Sequence, residues 1–268
     1  MKFILLVNLF QLTQSFLNTH RNALPYASSR HRPNQYLLMT IPSTSQNFDL
    51  AVVGGGPCGI KAAILASITY KKKVVLIDAP RASGALMNEE TQQDLSIGGP
   101  TGLFSKALRD VSKRIRVDSL RGMGLREDSI WNEIIRSCLD LATLNSDDVY
   151  RQLYDAGVAY IQGLASFPNT GGTESLLVQS ADGTSVTIRA RDVLISTGSQ
   201  PFRPVGIPFD GKRIFDSDSI NQLSYLPSSI AITGSGIIAI EYAKIFRYVH
   251  VLLKVFTHGN HPTLTIIS

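Results

Sequence analysis

Two stretches of the chain share one pattern, in which a short apolar run ends at a glycine-rich turn and a helical pattern follows. The first run is Asp49–Val53, and its turn, Gly54–Gly59, has the spacing G-x-G-x-x-G. The second run is Ser229–Thr233, and its turn, Gly234–Ala239, has alanine in place of the third glycine. Short, continuous runs of β-branched apolar residues are typical of buried parallel strands. The sequence therefore predicts two strand–turn–helix units.

The first unit has the further features of a dinucleotide-binding fold. An alanine-rich helix is predicted over Ile60–Ile68, and a second strand over Val74–Ile77 ends at Asp78. In such a turn the first glycine permits the tight bend, the second lets a pyrophosphate approach the backbone, and the third lets the helix pack on the strand. The corresponding residues here are Gly54, Gly56 and Gly59. The helix N-terminus then faces the phosphates, and Asp78 is placed to accept a hydrogen bond from a ribose hydroxyl.

Three helices are predicted between the two units. Amphipathic spacing indicates one over Leu103–Val117, whose basic residues, apart from Lys106, are expected to lie in solvent. A second is predicted over Ile130–Leu144. The polar residues Asn145–Asp148 are good N-caps, so a third helix is expected to begin there and to end near Ala156.

A change of pattern follows the predicted helices. From Val158 onward, short alternating segments broken by glycine and asparagine predict a small β-meander. Asp192–Ser196 predicts a further buried strand, which ends at Thr197–Gly198. These elements indicate an α/β fold class: a Rossmann-like domain with a parallel sheet and a small β-meander over residues 48–225, followed by the first βα unit of a second Rossmann domain over residues 226–268.

The basic charge of the chain lies mostly in its first 48 residues. The formal net charge is +5, and residues 1–48 contain four basic residues and no acid, so the remainder is nearly neutral and does not indicate a nucleic-acid partner. The apolar run after Lys2 resembles a signal-peptide core, and the acid-free stretch that follows has the composition of a transit peptide. We expect residues 1–47 to be a disordered targeting leader for a plastid or a mitochondrion. If translation begins at Met39, the protein is expected to be cytoplasmic.

Composition excludes several other classes of protein. With 44% hydrophobic and 18% charged residues, the chain of 268 residues is expected to be globular rather than disordered or fibrous. Apolar runs stay below the length of about 18 residues that a transmembrane helix needs, so no membrane span is expected. The two cysteines, Cys58 and Cys138, make neither a disulfide framework nor a zinc site, and no metal site is predicted.

From residue 48 to residue 247 the chain resembles the two-dinucleotide-binding flavoproteins, the family that includes glutathione reductase and dihydrolipoamide dehydrogenase. The two glycine turns carry the resemblance, together with the segments Ser105–Arg109, Ile214–Ile220 and Glu241–Arg247. These segments are most similar to those of the transhydrogenase branch of the family. The resemblance implies that the protein is an enzyme, and that FAD occupies the first turn and NAD(P) the second.

The resemblance also implies roles for individual residues. Those that would bind FAD are Gly54, Gly55, Gly56, Gly59, Asp78, Ser105, Lys106, Gly163, Ala165, Thr197 and Gly198. Those that would bind NAD(P) are Gly234, Gly236 and Glu241. In the family, the lysine and glutamate that match Lys106 and Glu241 pair with each other beside the flavin. These two residues are therefore the expected catalytic residues.

Two departures from the family pattern bear on the reaction. Disulfide reductases of the family carry two redox cysteines before the Ser-Lys segment, and Ile97 and Gly102 stand at those positions here. The resemblance also ends at Tyr248, so about half of a family member is missing, including the region through which full-length members form homodimers. The expected function is passage of hydride between NAD(P)H and NAD(P)+ through FAD without a redox disulfide, with nicotinamide dinucleotides as substrates. The alternatives are another dithiol-free NAD(P)H:acceptor reductase of the same fold and a truncated, non-catalytic FAD-binding fragment.

Overall fold

A computed structural model describes residues 5–7, 47–79, 87–88, 93–94, 97, 108–168, 174–180, 183–256 and 265–267 of the chain. The strands are β1 Leu5–Val7, β2 Asn47–Val53, β3 Val74–Asp78, β4 Met87–Asn88, β5 Gln93–Asp94, β6 Ala159–Gln162, β7 Leu164–Ser166, β8 Ser175–Gln179, β9 Ser185–Ile195, β10 Ile214–Asp216, β11 Ser229–Thr233, β12 Leu252–Phe256 and β13 Thr265–Ile267. The helices are α1 Pro57–Ile68, α2 over residues 108–114, α3 Val117–Gly122, α4 Glu127–Asp155 and α5 Ile237–Tyr248, with a 3₁₀ turn at Ser219–Gln222.

The first sheet has the strand order β6-β3-β2-β9-β8-β7. Strands β6, β3, β2 and β9 run parallel, and β7, β8 and β9 form the antiparallel meander. Every residue of β3 is buried, as its continuous apolar run predicts. The parallel sheet and the meander confirm the predicted α/β, Rossmann-like fold class.

The outer end of β9 differs from the prediction of a buried strand. Residues 189–195 pair with β2, but β8 pairs only with residues 185–189 of β9. No described strand covers the other edge of residues 191–195, and the side chains of Leu194 and Ile195 are 39% and 63% exposed. The prediction of burial is wrong here because burial depends on a neighbouring strand that the local sequence does not specify.

The second sheet has the strand order β10-β1-β11-β12-β13. Strand β12 runs parallel to β11, as expected for a βα unit, and β13 is antiparallel to β12. Strand β1 lies between β10 and β11 and is parallel to both, with Leu6 opposite Phe215 and Ile232. The expectation of a disordered leader is therefore wrong at residues 5–7, whereas its residues 1–4 and 8–46 lie outside the described part.

The helices depart from the prediction at two places. Helix α2 ends at residue 114, and α3 begins at Val117 instead of continuing the same helix. The two helices predicted around Asn145–Asp148 are one helix, α4, of 29 residues. The break was wrongly predicted because Asp148 uses its carboxylate inside the helix, where it accepts hydrogen bonds from Arg151 and Gln152.

Helix α4 contributes to two hydrophobic cores. Its N-terminal half, which includes Trp131 and Cys138, packs with α2, α3, α5 and the second sheet. Its C-terminal end, which includes Tyr150 and Leu153, packs with α1 and β3 beneath the first sheet. A third core lies among β2, β3 and the meander strands. None of the helices within the described ranges has both the length and the apolar character that a membrane span requires.

Candidate nucleotide-binding site

The first glycine turn connects β2 to α1 and requires glycine at two positions, Gly54 because of its backbone conformation and Gly59 because of a close contact. Gly54 has a φ of 114°, and its N–H donates to the Ile77 carbonyl at 2.8 Å. A Cβ at Gly54 would overlap the Ser196 carbonyl oxygen, and a Cβ at Gly59 would overlap the Gly54 carbonyl oxygen. Gly54 and Gly59 are therefore needed for the close approach of turn, helix and neighbouring strand.

Gly56 is different, because its side-chain position points into open space. It is the N-cap of α1, with φ −75° and ψ 174°, and no described atom lies within 4 Å of a Cβ built on it. Helix α1 has no side-chain cap and no acid in its first turn, so its N-terminus keeps the positive end of the helix dipole exposed to a ligand. This space above a helix N-terminus fits a pyrophosphate group.

Asp78 lies beside the turn, at the end of β3. Only 8% of the residue is exposed, and its Oδ1 accepts a hydrogen bond from the Gly55 N–H at 2.7 Å. The carboxylate thus holds the middle of the turn in place. Contact between Asp78 and a ribose stays a prediction.

Several other predicted FAD residues lie near Asp78 and the first glycine turn. Thr197 and Gly198 follow the end of β9, where the Thr197 Cα borders the Cβ position of Gly54. The Gly163 N–H donates to the Asp78 carbonyl at 2.8 Å, and Ala165 pairs with Val178 in the meander. The structure therefore brings these residues and the first turn to one region of the first sheet.

Ser196 is a residue of this site that the sequence analysis did not single out. Its N–H donates to the Val53 carbonyl at 2.8 Å, and its Oγ lies 3.1 Å from the Val53 oxygen and 3.2 Å from the Gly54 oxygen. The hydroxyl therefore ties the end of β9 to the turn. A small polar residue at the last position of a predicted strand is the only sequence signal that could have indicated it.

The second glycine turn repeats the backbone geometry of the first. Gly234 has a φ of 136°, and its N–H donates to the Phe256 carbonyl at 2.8 Å. Gly236 is the N-cap of α5, with φ −75° and ψ 172°. Ala239, at the third glycine position, is fully buried, so a methyl group is accommodated there. The residue that would correspond to Asp78 is Thr257, which lies outside the described residues.

Glu241, on α5, pairs with Arg109, on α2. Arg109 Nη1 donates to Glu241 Oε1 at 2.9 Å, and the two side chains are 31% and 17% exposed. The expectation that Arg109 lies in solvent is wrong, because α2 packs on the second sheet and turns this side chain toward α5. Ser105 and Lys106 lie outside the described residues, so the pairing of Lys106 with Glu241 stays a prediction.

The segment between the two units contains a buried carboxylate, Asp216, at the end of β10. Asp216 is 1% exposed and accepts hydrogen bonds from the N–H groups of Asp218 and Ser219 at 3.0 and 2.7 Å. It also pairs with Arg203, whose Nε lies 2.6 Å from Asp216 Oδ2. Burial alone would raise the pKa of Asp216, but the hydrogen bonds from Ser219 and Arg203 outweigh burial and lower this pKa below its ordinary value.

Neither cysteine has the surroundings of a redox centre. Cys58 is exposed in the first turn of α1, and Cys138 is buried in the core of α4. Burial raises the pKa of Cys138 to about 12, which disfavours the reactive thiolate. Ile97, at the position of one family cysteine, is 1% exposed, whereas Gly102 lies outside the described residues.

Comparisons with known proteins agree with this geometry. The family described as pyridine nucleotide-disulphide oxidoreductase matches residues 48–263. Proteins named soluble pyridine nucleotide transhydrogenase, from Yersinia pestis (strain Pestoides F) and Yersinia pseudotuberculosis serotype O:3 (strain YPIII), are 34% identical over 214 residues, which is 75% of this chain and 41% of each relative. The chain thus spans about two fifths of the length of these relatives.

Solved structures share the fold. LpdA from Mycobacterium tuberculosis aligns with a TM-score of 0.61 at 23% identity, over 79% of this chain and 45% of that one. The Cu(II) complex of the HOCl-induced flavoprotein disulfide reductase RclA from Escherichia coli aligns with a TM-score of 0.59 at 21% identity, over 81% and 44%. Together with the sequence match, which covers most of the chain, this common fold means that the chain belongs to the pyridine nucleotide-disulphide oxidoreductase family.

Proposed function

We propose that this chain carries the nucleotide-binding turns of a flavoprotein oxidoreductase that passes hydride between NAD(P)H and NAD(P)+ without a redox disulfide. The observation that carries the proposal is the repetition of one turn geometry on two sheets, at Gly54–Gly56 and Gly234–Gly236. Two such turns suit an enzyme that holds two dinucleotides at once. The 34% identity to soluble pyridine nucleotide transhydrogenases supports this reaction class.

FAD fits the first turn. The open space at Gly56 and the acid-free N-terminus of α1 would receive its pyrophosphate, and Asp78 would accept a hydrogen bond from its ribose. Thr197 and Gly198, at the end of β9, would border the rest of the nucleotide. When bound, FAD supplies a centre that accepts hydride from one nicotinamide and returns it to another.

NAD(P) is the corresponding ligand of the second turn. Gly234 gives the tight bend, and Gly236 opens the N-terminus of α5 to a second pyrophosphate. Lys106 would hold a positive charge near Glu241 and beside the flavin, where it would stabilise negative charge.

The first expected result is that the purified chain binds FAD. The protein should be yellow, or should stay yellow after FAD is added and free FAD is removed by gel filtration, and should release flavin when it is denatured. Fluorescence of the released flavin, compared with a standard, measures the bound fraction. Absence of binding at high FAD concentration would contradict the proposal.

The second expected result is that thiol chemistry takes no part in hydride transfer. The double variant Cys58→Ser and Cys138→Ala should transfer hydride from NADPH to a thionicotinamide analogue of NAD+ at nearly the parental rate. The reason is that Cys58 is exposed in the first turn of α1, whereas Cys138 is buried and its thiol has a raised pKa. A large loss of rate, with FAD still bound, would show that a thiol is required.

One observation favours a second candidate function, non-catalytic binding of FAD: β9 has an edge that no described strand covers. FAD that binds but is not reduced by NADH or NADPH would support this candidate over the oxidoreductase. An acceptor reductase of the same fold would instead reduce quinones or dyes and fail to exchange hydride between nicotinamides.

A further inference from the structure

The ion pair of Arg109 and Glu241 joins the two halves of the chain, because the residues are 132 positions apart in the sequence. Arg109 lies on α2, and Glu241 is in the second turn of α5, directly after the second glycine turn. At 17% exposure, the Glu241 side chain has lost most of its contact with water. Arg109 Nε also lies 3.5 Å from Asp110 Oδ1, but this ion pair is the weaker of the two because it is longer and the Asp110 side chain is 41% exposed.

The charge of Glu241 matters because of its distance from the site of an incoming diphosphate. Helix α5 has no acid in its first turn, so its N-terminus at Gly236 carries the positive end of the helix dipole. Glu241 follows about 7.5 Å along the helix axis, at 1.5 Å per residue. This separation is no longer than the Debye length of about 8 Å at physiological salt, so an uncompensated carboxylate there would repel the diphosphate.

We propose that Arg109 is a positioning residue for the second nucleotide site. Its guanidinium holds the Glu241 carboxylate toward α2 and neutralises it, and so lets the N-terminus of α5 attract the diphosphate of a nicotinamide dinucleotide. This inference rests on the proposed function, since it takes the second turn as the NAD(P) site. It assigns to Arg109 a role separate from that of Lys106.

The test is the affinity of the chain for NADH, measured without oxygen by titration of nicotinamide fluorescence, with saturating FAD reduced beforehand so that it fills the first turn and cannot oxidise NADH. The variant Arg109→Met should weaken NADH binding about tenfold, because it removes the cation that, within the described residues, lies against the Glu241 carboxylate close to the diphosphate. Adding Glu241→Gln to Arg109→Met should restore the affinity to within about twofold of the parent. Arg109→Lys should keep most of the affinity, since it keeps the charge.

Two controls separate the effect of charge from a loss of structure. Arg114→Met removes an exposed basic residue from the same helix and should leave NADH affinity unchanged. Binding of adenosine, which has no phosphate, should be equal in the parent and in Arg109→Met. Urea unfolding of each variant measures any change in the free energy of unfolding independently of the ligand.

The outcomes distinguish this inference from the proposed function. If Arg109→Met and the double variant bind NADH equally weakly, or if Arg109→Met binds like the parent, the role of Arg109 is overturned while the oxidoreductase proposal stands. If the NADH affinities of the parent and the variants follow the expected pattern but NADH does not reduce FAD in the parent, the role of Arg109 stands and the oxidoreductase proposal fails. A parent that binds no NADH overturns the assignment of the second site and the role of Arg109 with it.

Discussion

Replacing Gly59 by alanine should strongly destabilise the chain, whereas the same replacement at Gly56, three residues earlier, should leave the fold intact and weaken FAD binding. A Cβ at Gly59 would overlap the backbone oxygen of Gly54, which is held by the neighbouring strand, so we expect a loss of about 3 kcal/mol or more. A Cβ at Gly56 meets no described atom, and its φ of −75° suits any residue. The fold should therefore tolerate Gly56→Ala.

The effect of Gly56→Ala should appear in ligand binding alone. The added methyl group would occupy the space that we assign to the pyrophosphate, and overpacking of about 1–3 kcal/mol corresponds to roughly a tenfold to hundredfold weaker FAD affinity. Circular dichroism during urea unfolding gives the stability of both variants, and flavin fluorescence gives their FAD affinity. A Gly56→Ala protein that binds FAD like the parent would contradict the position assigned to the pyrophosphate.

The second large effect is expected at Asp216. The variant Asp216→Ala leaves the N–H groups of Asp218 and Ser219 without their acceptor in a partly buried turn, at a cost of about 1–3 kcal/mol each. The total loss should be about 3–5 kcal/mol, which is a large part of the stability of a typical domain. Arg203→Met should cost less, about 1–3 kcal/mol, because Asp216 keeps both hydrogen bonds from the backbone N–H groups and loses only the half-exposed partner of its Oδ2.

The same carboxylate makes the stability depend on pH in a defined direction. The pKa of Asp216 is lowered in the folded state, so its contribution is fully present above the unfolded pKa of about 3.9 and is lost as the pH falls through the lower folded value. Urea unfolding at pH 7 and between about pH 4 and 2 tests both statements. Asp192→Ala, which removes an exposed carboxylate, is the matched control. Equal destabilisation by Asp216→Ala and Asp192→Ala would refute the argument.

Local patterns were sufficient to predict the two glycine turns and the first sheet. The spacing of Gly54, Gly56 and Gly59 specifies a backbone path by sterics alone, and the continuous apolar run of β3 specifies a strand buried on both faces. Each of these features depends on residues that are close together in the sequence. The structure therefore agrees with the prediction where neighbouring residues determine the conformation.

Features that depend on distant residues were not predictable. The partner of Glu241 is Arg109, and amphipathic spacing alone placed Arg109 in solvent. The exposure of Ile195 depends on which strand lies beside β9. The continuity of α4 through Asp148 depends on the Asp148 side chain, which can cap the start of a new helix or accept hydrogen bonds inside a continuous helix. The local sequence does not decide between these two arrangements.

The length of α4 has a consequence for how the chain unfolds. Its 29 residues span about 43 Å at 1.5 Å per residue. Trp131 near one end belongs to the core of the second sheet, and Leu153 near the other belongs to the core beneath the first sheet. Unfolding of this helix exposes apolar surface in both cores at once, so neither core can lose the helix without weakening the other core. The two Rossmann-like units are therefore coupled into one cooperative unit, even though each has its own sheet and its own nucleotide turn.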